Sequence, residues 1–143
     1  MFKNKLVNIM LIIIIALTLV GVITLVLFNH FTSEPDPDRE PTIDEIIAQS
    51  YVSDEIMTNL LSNDFVRTQF HIHVDSRKTL REIEKRDFQI ENIILRTLSG
   101  KRSPDLAGAS GIEELENELR NQINEVLQDG SVVQVYTTSW VIQ

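Results

Sequence analysis

Val66-Arg-Thr-Gln-Phe-His-Ile-His-Val-Asp75 reads as the strand around which the rest of the chain is arranged. Val66, Thr68, Phe70, Ile72 and Val74 alternate with Arg67, Gln69, His71, His73 and Asp75, so one face suits a core and the other faces solvent. Just upstream, Glu55 to Leu61 suits a short strand, and Ser62-Asn63-Asp64 is a plausible three-residue hairpin loop between the two. Earlier still, Thr42-x-x-Glu45 has capping-box spacing, and Ile43, Ile46 and Ile47 give a short helix one apolar stripe, expected to lie near the membrane.

Downstream, Asp75 and Ser76 are N-cap candidates for one long helix in which Leu80, Ile83, Ile90, Ile94 and Leu98 recur near helical spacing. Glu82 and Arg86 form an i,i+4 pair on its wet side, and Gly100 ends it. After a Gly-, Ser- and Pro-bearing loop over residues 101–110, Ser110-Gly-Ile-Glu113 is a capping box for a second helix. Its stripe is Ile112, Leu115, Leu119, Ile123 and Val126, and Asp129-Gly130 stops it, with Gly130 suited to the left-handed position at a helix end and Gly108 lying in the loop. Val132 to Ile142, rich in β-branched and aromatic residues, is the last strand. Two strands, two helices and one strand predict an α+β domain with a small sheet and helices packed on it.

In front of that domain, Leu6 to Phe28 contains no charged residue, and its only polar side chains are Asn8, Thr18 and Thr24. As a helix these 23 residues span about 35 Å, enough for a hydrocarbon core of about 30 Å. A cleaved signal has a shorter apolar stretch and a small-x-small exit, whereas Phe28-Asn29-His30-Phe31 offers no such site. The absence of cysteine removes a lipid-modified thiol and any disulfide. Lys3 and Lys5 precede the run and Glu34, Asp36, Asp38 and Glu40 follow it, so the amino terminus is expected in the cytoplasm and the domain outside. The segments expected are thus a cytoplasmic end over 1–5, a membrane helix over 6–28, an acidic proline-rich linker over 29–41 and an extracytoplasmic domain over 42–143.

Beyond the anchor lie 11 basic and 21 acidic residues, a net of −10. That balance excludes nucleic acid as a partner and speaks against an outer surface held on anionic lipid, so lipid contact is assigned to Leu6 to Phe28 alone.

Catalytic signatures are absent. His71 and His73 could place two imidazoles on one metal, with Asp75 as a third donor, but no Cys, no His-Glu-x-x-His and no acidic calcium loop accompanies them. The hydroxyls from Ser131 to Ser139 have no neighbouring histidine and no nucleophile elbow. Gly108 and Gly111 lack the Lys-Ser or Lys-Thr of a phosphate cradle, and Glu113 to Glu118 is a solvated helix face. His30 is placed at the membrane interface. No enzyme activity, metal or cofactor is expected. The last strand carries the one candidate contact set: Val132, Tyr136, Trp140 and Ile142 on one side, opposite Val133, Val135 and Val141. With both sides apolar it is either central in a sheet or pressed against a partner.

The chain resembles the FliL family of flagellar basal body-associated proteins. The matching stretches are Glu55-Ile-Met-Thr-Asn-Leu60, Glu82-Ile-Glu-Lys-Arg86, Ile94-Leu-x-x-Leu98-Ser, Gly111 with Leu115, Ile123-Asn124, and Val132-x-x-Val135-Tyr136 through Ile142-Gln143. Met57 and Thr137 stand where that family often has Thr and Phe. The resemblance implies a stomatin-like outer domain that self-associates into a ring beside the stator units of the flagellar motor and supports torque without catalysis. The alternatives are a membrane-anchored receptor or enzyme domain binding a small molecule or cell-wall fragment, and a division or secretion scaffold. The latter wants a coiled coil that the prolines oppose.

A reporter fused after Gln143 is expected to be active only outside the cytoplasm. Ile15→Arg is expected to impair insertion, since a central Arg costs about 2.5 to 3.5 kcal/mol on insertion scales. Cytoplasmic activity of the wild-type fusion would overturn this topology.

Overall fold

In the computed structural model, residues 4–32 and 39–143 are described, and they form two compact units divided between Glu40 and Pro41. The first is the helix α1 (Lys5–Thr32), apolar around its whole circumference, with every side chain described in it exposed within the chain. Among the described residues it is the one helix long and apolar enough to cross a membrane. Thr18 and Thr24 donate their hydroxyls to the carbonyls of Ile14 and Val20, each at 2.8 Å, so these polar groups are satisfied without water. The helix continues four residues past Phe28, so Asn29 to Thr32 are helical rather than linker. Most of the proline-rich linker, residues 33–38, lies outside the described residues.

The second unit opens with α2 (Ile43–Ala48), capped as its sequence dictates: Thr42 N–H donates to Glu45 Oε2 at 2.8 Å and Glu45 N–H to Thr42 Oγ1 at 3.4 Å. Its apolar stripe is not buried. Ile46 is half-covered, while Ile43 is 68% and Ile47 59% exposed.

The sheet is antiparallel: β1 (Ser50–Val52), β2 (Ile56–Asn59), β3 (Phe65–Val74) and β4 (Val132–Ile142). β4 pairs with β3 along nearly its full length, and β1 and β2 share the other edge of β3 in succession. Ser53 bridges the gap between them. Its N–H donates to the Phe70 carbonyl at 2.9 Å, and its hydroxyl accepts from the Phe70 N–H at 3.0 Å. The hairpin into β3 turns at Asn63, whose φ of 65° is one that Asn tolerates better than most residues.

The core face of β3 is the one its alternation predicts: Val66, Thr68, Phe70, Ile72 and Val74 are all buried. The other face departs from expectation at one end. His71 is half-buried, but His73 is only 4% exposed, because α2 packs on β3 there and Gln49 after it accepts the Val74 N–H at 2.9 Å. Burial, then the neighbouring His71, lowers the His73 pKa, with Asp75 opposing.

The single long helix expected after β3 is two, α3 (Arg77–Lys85) and α4 (Asp87–Ser99), joined at Arg86. Asp87 falls between Ile83 and Ile90 on the apolar stripe, and a straight helix would carry its carboxylate into the core. The break instead lets it accept a hydrogen bond from the Tyr51 hydroxyl. Ser76 caps α3 through the Thr79 N–H at 3.2 Å. Glu82 and Arg86, paired at 2.8 Å, are largely covered rather than on a wet face, and Glu82 also accepts the N–H groups of Gln128 at 3.0 Å and Asp129 at 3.3 Å. The bond from Gln128, with those from Arg86 and Asp129, holds the Glu82 carboxyl below its usual range.

A 3-10 turn (Ser103–Leu106) leads into α5 (Gly108–Val126). This helix starts two residues before Ser110, with Ala107 at its N-cap and no side-chain cap, so the expected box does not form. Its buried stripe is Gly111, Leu115, Leu119 and Ile123, and it covers the core face of the sheet together with α3 and α4.

Gly108 and Gly130 both have positive φ, +70° and +74°, which corrects the expectation that only Gly130 does; Gly130 lies in the turn before β4, not at the helix end. They differ in space: a Cβ on Gly130 would sit 1.9 Å from Thr79 Oγ1 and 2.7 Å from Asp75 Oδ1, whereas nothing lies within 4 Å at Gly108. Each Gly→Val change carries a backbone strain of about 1–3 kcal/mol. Gly130→Val is therefore expected to lower the melting temperature of the domain well beyond Gly108→Val, and equal melting would refute the assignment. Protonation of His73 is favoured in the unfolded chain, whose imidazole keeps its ordinary pKa of about 6.5. Its contribution to stability is thus complete above that pH and lost as pH falls below it, and denaturant melts of His73→Gln at pH 7.5 and 5.5 are expected to show a smaller acid loss than wild type.

Candidate interaction surface

The terminal strand places its four candidate residues differently from simple alternation. Val132 is buried opposite Val74, and Trp140 and Ile142, opposite Thr68 and Val66, are half-buried against the core. Tyr136 lies opposite His71 on the outer face and is 44% exposed. The four therefore do not share one side. The register shifts at two points, so that Val133 and Thr138 each stand as an extra residue in β4. Each such bulge reverses the parity of the residues beyond it. Val135 and Thr137 thus turn inward, Tyr136 turns outward, and Trp140 and Ile142 turn inward again.

The outer sheet face that results carries apolar residues that alternation in β3 alone does not reveal. Val52, Met57, Phe65, Val133 and Tyr136 are all exposed there, with Val141 half-covered. Their signal in sequence was the pairing register of the flanking strands, which only the tertiary structure supplies.

Next to this face, the free edge of β4 is partly closed by side chains of α5. The Val132 N–H donates to Asn124 Oδ1 at 2.7 Å and the Thr137 N–H to Glu116 Oε1 at 2.7 Å. Such caps block strand addition where they sit.

The polar residues considered as chemical groups are engaged in structure. Asp75 accepts from the Thr79 hydroxyl at 2.6 Å and the Ser131 N–H at 2.9 Å, and among the described residues no three His, Asp or Glu side chains are grouped to hold a metal ion. His30 stacks edge-on to Phe31, with ring centroids 6.0 Å apart. The widest groove, about 500 Å³ between α4 and α5, is lined by groups that satisfy one another. Lys101 pairs with Glu118 at 2.5 Å, Gln122 donates to Glu118 at 3.2 Å, and the Thr97 hydroxyl donates to Gln122 at 3.0 Å. The Glu118 bond raises the Lys101 pKa, consistent with a closed pair rather than a waiting base. This groove lacks the convergent, unsatisfied polar groups that orient a small ligand.

Comparison with known proteins fits this picture. The family described as flagellar basal body-associated protein FliL matches residues 50–143, all of the sheet and the helices packed on it. The chain is 38% identical over 106 residues to the flagellar protein FliL of Bacillus subtilis (strain 168), covering 74% of this chain and 76% of that relative. It is 32% identical over 79 residues to the flagellar protein FliL of Aquifex aeolicus (strain VF5), covering 55% of this chain and 49% of that one. With its matched region coinciding with the folded domain, the chain belongs to the FliL family of flagellar basal body-associated proteins.

Proposed function

We propose that this protein is a non-enzymatic accessory of the flagellar motor, held in the cell membrane by α1 with its amino terminus cytoplasmic and its domain outside. There it associates with the stator units and supports torque, as a ring of stomatin-like domains. Family membership carries the motor assignment. The apolar α1 supports the anchor, and the self-satisfied groove between α4 and α5 favours a binding scaffold over a catalyst. Supporting torque requires tighter binding to the engaged stator than to the idle one, since a ligand with equal affinity for both shifts nothing. Confinement of anchored copies to one membrane raises their effective concentration, so weak contacts through the outer sheet face suffice for assembly. Tyr136 and the exposed margins of Trp140 and Ile142 are the proposed contacts, with Val132 acting from within the core.

Deleting the gene is expected to leave flagella assembled while swimming falls under viscous load, and crosslinkers placed on the outer face are expected to trap the stator's channel subunit. Tyr136→Glu is expected to weaken self-association about tenfold or more, as loss of an interface anchor does, with circular dichroism unchanged. Normal motility under load together with no stator crosslink from any surface position would defeat this reading and favour an anchored receptor.

A further inference from the structure

The basic residues of the domain are not spread evenly. Residues 77–86 hold Arg77, Lys78, Arg81, Lys85 and Arg86 against Glu82 and Glu84, a local excess of positive charge in an outer region whose net charge is −10. Of these, Lys78 is paired with Asp129 at 3.1 Å and Arg86 with Glu82. Arg77, Arg81 and Lys85 succeed one another at i, i+4 and i+8 along the outward side of α3, exposed and without an ion pair among the described residues. The inward side holds Thr79 and Ile83. Asp75, Glu82 and Asp129 are occupied at this end, which leaves Glu84 and Asp44 as the opposing charges.

α3 lies across one end of the sheet. Its start follows Val74, whose N–H bonds to Gln49 at the end of α2; its far end is followed by Asp87, which Tyr51 in β1 reaches. Glu82 and Asp75 tie it to the turn between α5 and β4. The same end is where the chain arrives from the anchor, through the exposed Ile43 and Ile47. The acidic start of α5, with Glu113 and Glu114, is at the other end: Glu114 and Asp105 share a pocket with Lys101, whose carbonyl accepts the Leu61 N–H beside the hairpin. The ten residues of β3 separate the two ends by about 30 Å.

We propose that this end of the domain, with Ile43 and Ile47 of α2 and Arg77, Arg81 and Lys85 of α3, is a docking surface for anionic phospholipid headgroups. Ten residues from Thr32 to Thr42 reach at most about 35 Å, so the tether keeps the domain close to the bilayer. Exposed isoleucines beside basic side chains are the composition that seats protein at a membrane interface. The expectation from net charge was the opposite, but screening within about 8 Å makes the local ridge, not the acidic groups 30 Å away, what a lipid surface meets. Docking by this end holds the domain upright and turns its acidic end outward. The inference rests on the anchor reading and not on stator association, which the motility and crosslinking assays test separately.

The absence of cysteine makes the test direct. The full chain, one copy per nanodisc, is labelled with a fluorophore at Asp44→Cys or Glu113→Cys in bilayers of phosphatidylcholine with or without phosphatidylglycerol, and quenching by headgroup-nitroxide lipid is measured. Quenching is expected at position 44 and not at 113, only with phosphatidylglycerol. It is expected to vanish near 1 M salt, where the Debye length is about 3 Å. Arg77→Glu with Arg81→Glu and Lys85→Glu is expected to reduce the docked-to-free ratio at least about tenfold with circular dichroism unchanged. Equal quenching at both positions, or quenching at 44 that ignores lipid charge and the triple variant, would overturn the proposal. Dependence on more than one copy per disc would overturn it in favour of a contact between copies.

Discussion

Everything in the folded domain depends on the core face of β3. Five alternating side chains from Val66 to Val74 form a buried surface that water cannot be left to cover, and three helices are recruited to close it. Ile83 of α3, Ile90, Ile94 and Leu98 of α4, and Leu115, Leu119 and Ile123 of α5 meet Phe70 and Ile72 in one cluster without a disulfide. Burying a Leu or Ile side chain contributes about 1.5–3 kcal/mol, so this cluster outweighs any single polar contact in the domain. Because β3 is paired on both edges, it is the element to which every other strand of the sheet is referred.

Polar groups then decide how the helices are arranged on that core. Glu82 joins α3 to the turn after α5, Asp75 joins the end of β3 to the start of β4, and Asp87 breaks the helix so that its carboxylate meets Tyr51 at the surface. Burial is the main reason the Tyr51 phenol holds its proton more tightly than usual, with Asp87 adding to it. Gly130 lies where Asp75 and Thr79 leave no room for a side chain. The departure from the family at Thr137 has a counterpart here: the residue faces inward opposite Phe70, and its hydroxyl is buried without a protein partner. A phenyl ring at that position would fill core volume instead of placing a hydroxyl there.

The outer face of the sheet is the consequence of these choices that matters for function. With all the longer helices on the core side, only α2 approaches the opposite face, and the apolar residues of β1, β2 and β4 are left open there. An antiparallel sheet with one open face is ordinarily polar on it. Five exposed apolar residues on that face fit a protein that works by contact, in keeping with the absence of an assembled catalytic group among the described residues.

Much of this was legible in the sequence because it depends on periodicity. The apolar run of α1, the alternation in β3, the stripe of α5, the Thr42 capping box and the span of β4 come from local spacing, and the structure reproduces them. The family, too, was readable from scattered residues in order, several of which, among them Ile94, Leu98, Leu115 and Val135, turn out to be buried core. What local spacing could not carry was whatever a distant partner decides. The break at Arg86 depends on Tyr51, the burial of His73 on α2, and the side on which Tyr136 projects on two bulges whose register exists only against β3. The sequence alone therefore determined which segments are helix, strand and anchor, because their period is written in neighbouring residues. Only the tertiary structure decided which surface is left to meet a partner, because a single inserted residue across a strand pair reverses every side chain beyond it.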